Sequence, residues 1–192
     1  MPEPMRPKAP QPPTLRANAA FGAQLDFNDT ADFENARRGL IEAVPDGGVV
    51  TTSTGTVVWD LNKYTFLEGD GEIDSVNPSL LRMARLNLAN GLFEVTERVY
   101  QVRGIDLANM TIVEGDTGLI IIDCLTTTNV AEAALELYFR HRPRRPVVAV
   151  LYTHSHIDHY GGAKGVIDEV RVAEGQTAVF APDGFLEALG GE

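Results

Sequence analysis

The sequence is short of cysteine, of histidine and of positive charge. Its 192 residues contain one cysteine, Cys124, so no intrachain disulfide can form and the chain is not a disulfide-stapled scaffold. A single thiol leaves the redox compartment open. Lys and Arg number 16 against 27 Asp and Glu, a formal net charge of −11. A field of that sign repels nucleic acid and anionic membranes, so an anionic ligand has to be attracted locally. No apolar run reaches the roughly 20 residues of a transmembrane helix. Residues 1–13 are proline-rich and lack the apolar core of an intact signal peptide. Residues 1–20 therefore read as a disordered or polyproline-like tail. The compartment stays open: cytoplasmic as the chain stands, periplasmic or secreted if a signal has been removed. There is no internal repeat.

What is present suffices for one domain with a core over residues 21–192, with 44% apolar and 22% charged residues. The pattern predicts a helix over residues 29–41 with Phe33, Ala36, Leu40 and Ile41 on one face, then a turn at Pro45-Asp46-Gly47-Gly48. Residues 57–60 and 64–67 read as β segments. A structural helix is expected over residues 77–90, with Pro78 at its first position, Gly91 just past its end, and Leu80, Leu81, Ala84 and Leu88 as its stripe. From 92 to 124 the period shifts to two, with residues 114–118 as a hairpin turn. Asn129 and Glu132 resemble a capping box opening a helix whose face is Val130, Ala133, Ala134, Leu137 and Tyr138, ending before Pro143. A buried strand over 146–152 and a strand over 178–180 follow.

Three of the four histidines fall in Thr153-His154-Ser155-His156-Ile157-Asp158-His159-Tyr160-Gly161-Gly162. Neutral imidazoles suit zinc, and a carboxylate adds charge and a hard oxygen. His154 and His156 are two apart and can share one metal. Asp158 and His159 diverge, which suits a second. The loop leaves the carboxyl end of the 146–152 strand, where α/β sheets place their sites. The two glycines lead into a helix expected near Ala163, whose start would favour an anion. An incidental His-rich loop is the bland alternative; the strand before and the glycines after weigh against it. The basic run Arg140-His141-Arg142-Pro143-Arg144-Arg145 is tempting as an anion clamp. It lies at the other end of the strand, about 20 Å away, so it is expected to stay solvated, and His141 is excluded as a ligand. Cys124 reads as a small core residue.

The motif and its setting resemble the metallo-β-lactamase superfamily. Gly91-Leu92-Phe93-Glu94-Val95, Val99-Tyr100-Gln101-Val102-Arg103-Gly104, Asn109-Met110-Thr111-Ile112-Val113-Glu114-Gly115 and Gly118-Leu119-Ile120-Ile121-Ile122-Asp123-Cys124 resemble its alkyl sulfatases, over about residues 21–185. The resemblance implies an α/β (α+β) fold, the first half of an αββα sandwich. It implies two Zn2+ ions held by His154, His156, Asp158 and His159, with Asp158 also serving catalysis. Asp123 would support the loop by accepting a ligand imidazole's N–H; the plainer reading is a strand-end turn aspartate. The implied reaction is hydrolysis of a dodecyl sulfate-like alkyl sulfate to alcohol and inorganic sulfate by a hydroxide shared between the metals, in a homodimer.

Two catalytic zincs need about six protein ligands, and the cradle offers four. No histidine follows His159. Asp168, Glu169 and Glu174 are expected to point away on the following helix, and Asp183, Glu187 and Glu192 come later. The chain is thus expected to be the N-terminal part of a longer enzyme, without the family's helical dimerisation region and sterol-carrier-like domain. A thioesterase or lactonase of the same superfamily, and an inactive metal-binding fragment, are the competing readings. C–O and S–O cleavage stay open.

Overall fold

The computed structural model describes residues 9–69, 71 and 73–189. Among the described residues nine strands are present: β1 Leu40–Glu42, β2 Val49–Thr51, β3 Val57–Asp60, β4 Gly91–Thr96, β5 Val99–Arg103, β6 Met110–Glu114, β7 Leu119–Ile122, β8 Val147–Leu151 and β9 Ala178–Phe180. Seven form one sheet in the order β1-β4-β5-β6-β7-β8-β9, and β2 pairs with β3 apart from it. Pairing is antiparallel from β1 to β7 and parallel across β7-β8-β9. The crossover from β7 to β8 needs a helix, since parallel neighbours cannot be joined by a tight turn.

The period-two pattern sets the two faces of the sheet. Tyr100, Val102, Met110, Ile112, Leu119, Ile121, Val147 and Val150 are buried in one core cluster with Val130, Ala134, Leu137 and Tyr138 of the crossover helix. The alternate positions, among them Val113, Ile120, Ile122, Val148 and Leu151, are only half-buried. The mixed α/β fold with a layer of helix on one sheet face agrees with the expected class.

Seven α-helices are described: α1 Pro12–Gly22, α2 Ala31–Arg37, α3 Pro78–Leu86, α4 Thr128–Phe139, α5 Ile157–Tyr160, α6 Glu169–Ala173 and α7 Phe185–Leu189. Several expectations are corrected. Residues 12–20 are helical rather than a tail: a proline at the first helical position lacks only an N–H that would be unpaired anyway. Residues 1–8 lie outside the described residues. The 29–41 helix stops at Arg37 because Gly39 turns left-handed at φ 77°. A Cβ there would meet the Glu94 carbonyl at 2.1 Å. Leu40 and Ile41 then enter β1 against β4. Residues 64–67 belong to a 3₁₀ stretch, Leu61–Leu67, opened by Asp60, whose carboxylate accepts the Asn62 N–H at 3.0 Å. The 77–90 helix ends at Leu86, and Leu80 faces outward at 63% exposure while Leu81 is buried. In α4 the cap is Thr127, which accepts from Val130 N at 3.4 Å, and not Asn129.

The basic run lies at the far end of the sheet from the histidine loop, as expected, but is paired rather than simply solvated. Arg140 and His141 meet Glu42, and Arg144 meets Glu136. Arg142 grips buried Glu114 with two hydrogen bonds of 2.7 and 2.8 Å, and the Tyr138 hydroxyl donates to the same carboxylate at 2.7 Å. The Arg142 contacts are the largest cause holding the Glu114 carboxyl below its ordinary range, against the opposing effect of burial. A carboxyl so lowered adds stability above its ordinary pKa, and that stability disappears as pH falls through the lower folded value. Glu114→Gln is expected to cost about 1–3 kcal/mol in urea melts at neutral pH and to flatten the acid limb in that window. A variant with the wild type's acid dependence there would refute this role for Glu114.

Candidate metal centre

β8 delivers the histidine loop to the carboxyl end of the sheet. Tyr152 N–H is still bound to Phe180 O at 2.9 Å; the chain then turns, and α5 forms a single turn from Ile157. Three glycines let the loop lie against the start of α4. A Cβ on Gly161 would meet Thr126 O at 2.3 Å, on Gly162 Cys124 O at 2.1 Å, and on Gly165 Thr128 O at 2.4 Å. Backbone bonds lock the contact: Cys124 N–H to His159 O at 2.7 Å and Gly162 N–H to Leu125 O at 2.8 Å. Tyr152, Tyr160 and Phe185 form an aromatic trio beside it, with centroids 5.5–6.2 Å apart. Burial pushes the Tyr152 phenol up to about 12.

The helix expected near Ala163 is absent. Ala163–Gly165 is one 3₁₀ turn, and the next helix, α6, is five residues long with Asp168 as its cap. A single turn aligns too few peptide dipoles for the anion-favouring field expected there.

The four cradle residues come together in two pairs. His154 Nε2 and His156 Nδ1 are 3.1 Å apart; His159 Nε2 and Asp158 Oδ2 are 3.4 Å apart. The rings of His154 and His159 have centroids 3.9 Å apart, so the pairs are adjacent. Two nitrogens bound to one zinc at about 2.0–2.1 Å in tetrahedral geometry lie roughly 3.3–3.4 Å apart. Each pair fits two corners of such a site. Among the described residues no group of three or more His, Cys, Asp or Glu is placed to hold a metal ion. The four side chains thus stand as two close pairs. Glu192 lies outside the described residues.

Asp123 follows β7 and is held in left-handed backbone at φ 59°, as is Leu125 at φ 64°. For a branched residue such as leucine that conformation is strained and survives only where its surroundings enforce it. Here Leu125 is fully buried and its carbonyl is tied to Gly162. The Asp123 carboxylate, 10% exposed, accepts from Thr153 N at 2.8 Å, from the Thr153 hydroxyl at 2.8 Å and from His159 Nδ1 at 2.7 Å. Asp106 ties down the neighbouring strand connection, accepting from Thr126 N and Oγ1 at 2.7 and 2.8 Å. Sequence reasoning did not single out Thr153, Leu125 or Asp106. Only Thr153 carried a signal, as the first residue of the motif.

An aspartate following β7, a histidine loop opposite it and glycines seating that loop on α4 make up the candidate site. The Metallo-beta-lactamase superfamily model matches residues 103–187, and the chain is similar to that superfamily over this stretch. Within it, the chain is a relative of the alkyl sulfatases. It is 55% identical over 174 residues to an (R)-specific secondary-alkylsulfatase of a Pseudomonas species, covering 91% of this chain and 26% of that one. It is 50% identical over 179 residues to an alkyl/aryl-sulfatase of Saccharomyces cerevisiae, covering 93% and 28%. The solved structure of the stereoselective inverting sec-alkylsulfatase Pisa1 from Pseudomonas superposes with a TM-score of 0.90 at 52% identity, over 99% of this chain and 30% of that one. The chain therefore spans between a quarter and a third of the length of these relatives.

Proposed function

We propose that this chain is the metal-binding N-terminal part of a zinc-dependent hydrolase that converts alkyl sulfates to an alcohol and inorganic sulfate. The observation that carries the reading is the pairing of His154 with His156 and of His159 with Asp158 at ligand-like separations of 3.1 and 3.4 Å. The names of its relatives support the substrate class. His154 and His156 would hold one zinc ion, Asp158 and His159 a second, and the remaining ligands would come from sequence outside these 192 residues. Bound zinc supplies positive charge and a water acidified to near neutrality. The chain's own part is to fix the four donors. Asp123 holds the His159 ring by its Nδ1, which leaves Nε2 toward Asp158. Gly161, Gly162 and Gly165 let the loop seat closely against the start of α4. With a net charge of −11, attraction of the sulfate has to come from the metal site rather than from the protein's general field.

The inverting label of the Pisa1 structure belongs to that protein. Carried to this chain, it means that water oxygen bonds to carbon as the C–O bond breaks, and sulfate leaves with the ester oxygen. The test is a zinc titration by calorimetry, followed by assays of zinc-loaded protein on dodecyl sulfate, a thioester and a lactone in oxygen-18 water. Zinc binding that His154→Ala weakens at least about 10-fold, with sulfate release and label in the alcohol, is the expected outcome for the whole enzyme. The isolated chain is expected to bind zinc weakly. Failure of His154→Ala to change zinc binding, or turnover of the thioester or lactone in place of the sulfate, sinks the proposal.

A further inference from the structure

We infer that Thr153 is a positioning residue: its hydroxyl passes the hold of Asp123 on to a second ring, His154, and so decides which nitrogen of that ring is left bare. The inference rests on the proposed ligand role of His154, and its argument is a count of hydrogens. A carboxylate only accepts hydrogen bonds, and a threonine hydroxyl has one proton to give. Asp123 Oδ1 takes the Thr153 backbone N–H at 2.8 Å, and Oδ2 faces both the Thr153 hydroxyl at 2.8 Å and His159 Nδ1 at 2.7 Å. Once the hydroxyl proton points at Oδ2, Thr153 Oγ1 has only lone pairs to offer His154 Nδ1, 2.9 Å away. That nitrogen must then carry the ring proton. Neutral His154 is left with an unprotonated Nε2, which in the zinc-free chain accepts from His156 Nδ1, 3.1 Å away.

One carboxylate thereby sets two rings, His159 directly and His154 through the hydroxyl. Both present Nε2 to the proposed metals. The relay is held at both ends. The Asp123 backbone N–H is bound to Leu151 O at 2.9 Å, in the left-handed conformation noted above, and Thr153 is anchored to the same carboxylate by its own backbone. A β-branched side chain has few χ1 choices, which favours one setting of the hydroxyl. The weaker contact from Thr153 Oγ1 to His159 Nδ1, at 3.5 Å, lies at the limit of hydrogen bonding and leaves the pairing unchanged.

The experiment compares nitrogen-15-labelled wild type, Thr153→Val and Thr153→Ser, zinc-free, at a pH above the ordinary histidine range. Long-range proton–nitrogen correlation reads which ring nitrogen is protonated. The wild type and the serine variant are expected to show His154 protonated at Nδ1. The valine variant, isosteric but without the hydroxyl, is expected to lose that preference while His159 keeps its own. Zinc affinity is expected to fall about 10-fold in the valine variant and to recover in the serine variant. His154 protonated at Nε2 in the wild type, or an unchanged pattern in the valine variant, overturns the inference. Should the valine variant unfold, the other two decide: Nδ1 protonation in both supports the relay, and Nε2 protonation in either refutes it. The ring protonation is read without zinc, so absence of zinc binding in the wild type would tell against the proposed function and not against the relay.

Discussion

Gly162→Ala is expected to lower the stability of the fold by more than about 3 kcal/mol, beyond the usual cost of one added methyl in a packed region. The backbone of Gly162 is ordinary, φ −85° and ψ 5°, so alanine meets no conformational penalty there. The whole effect is steric. The new Cβ would sit 2.1 Å from Cys124 O, 2.8 Å from Thr127 O and 2.9 Å from Ala131 Cβ. Two of those neighbours are backbone, which cannot rotate aside as a side chain can. The loop would have to lift off α4 and break the Gly162 N–H to Leu125 O bond. Urea melts followed by circular dichroism measure the loss. Gly71→Ala is the control: nothing lies within 4 Å of its added Cβ, and a change within about 0.5 kcal/mol is expected. Equal behaviour of the two variants would show that the glycine contact does not hold the loop.

Asp123→Asn is expected to weaken zinc binding about 100-fold, at the upper end for a residue that touches ligands without binding metal itself. The replacement keeps the size of the side chain and reverses the hydrogen-bond sense of one of its two terminal atoms. An amide oxygen toward Thr153 N leaves an NH2 facing the Thr153 hydroxyl and His159 Nδ1, two groups that donate to the carboxylate in the native chain. His159 must then move its proton to Nε2, the nitrogen proposed to face a metal. Competition with a chromogenic chelator gives the affinity. A variant within about 3-fold of the wild type would remove Asp123 from the metal-holding assembly. Gly162→Ala tests whether the loop is seated, and Asp123→Asn tests whether its donors are aimed; melts and zinc titrations on both variants separate the two.

Much of the candidate site was legible because its residues are close together in sequence. His154, His156, Asp158 and His159 span six positions, and the apolar runs of β7 and β8 announce the strands that place them beside Asp123. The hairpin turn after β6 followed from its turn residues, the face of α4 from its period, and the burial of Cys124 from its place at the end of an apolar strand. What escaped depends on distance along the chain or on backbone conformation. The bond from Thr153 to Asp123 joins residues 30 apart, and that from Thr126 to Asp106 residues 20 apart; no local pattern announces either. Leu125 carries no sign of its left-handed backbone, which its buried surroundings impose. The short 3₁₀ turns around the site arise where packing cuts a helix off, so propensity read along the chain overestimates their length. The family resemblance supplied the expectation that Asp123 supports a ligand imidazole, and its carboxylate lies 2.7 Å from His159 Nδ1.

Cys124 makes the seating of the loop visible in solution. It is fully buried between Asp123 and Leu125, and its backbone N–H is bonded to His159 O. Burial, reinforced by the charge of Asp123, pushes its thiol up to about 12, so the folded chain presents almost no thiolate at neutral pH. With no other cysteine in the sequence, any labelling by a thiol reagent has to pass through an opening of this segment. The rate of modification is therefore a clock for that opening. It needs no engineered probe, and zinc, if it binds where proposed, should slow it.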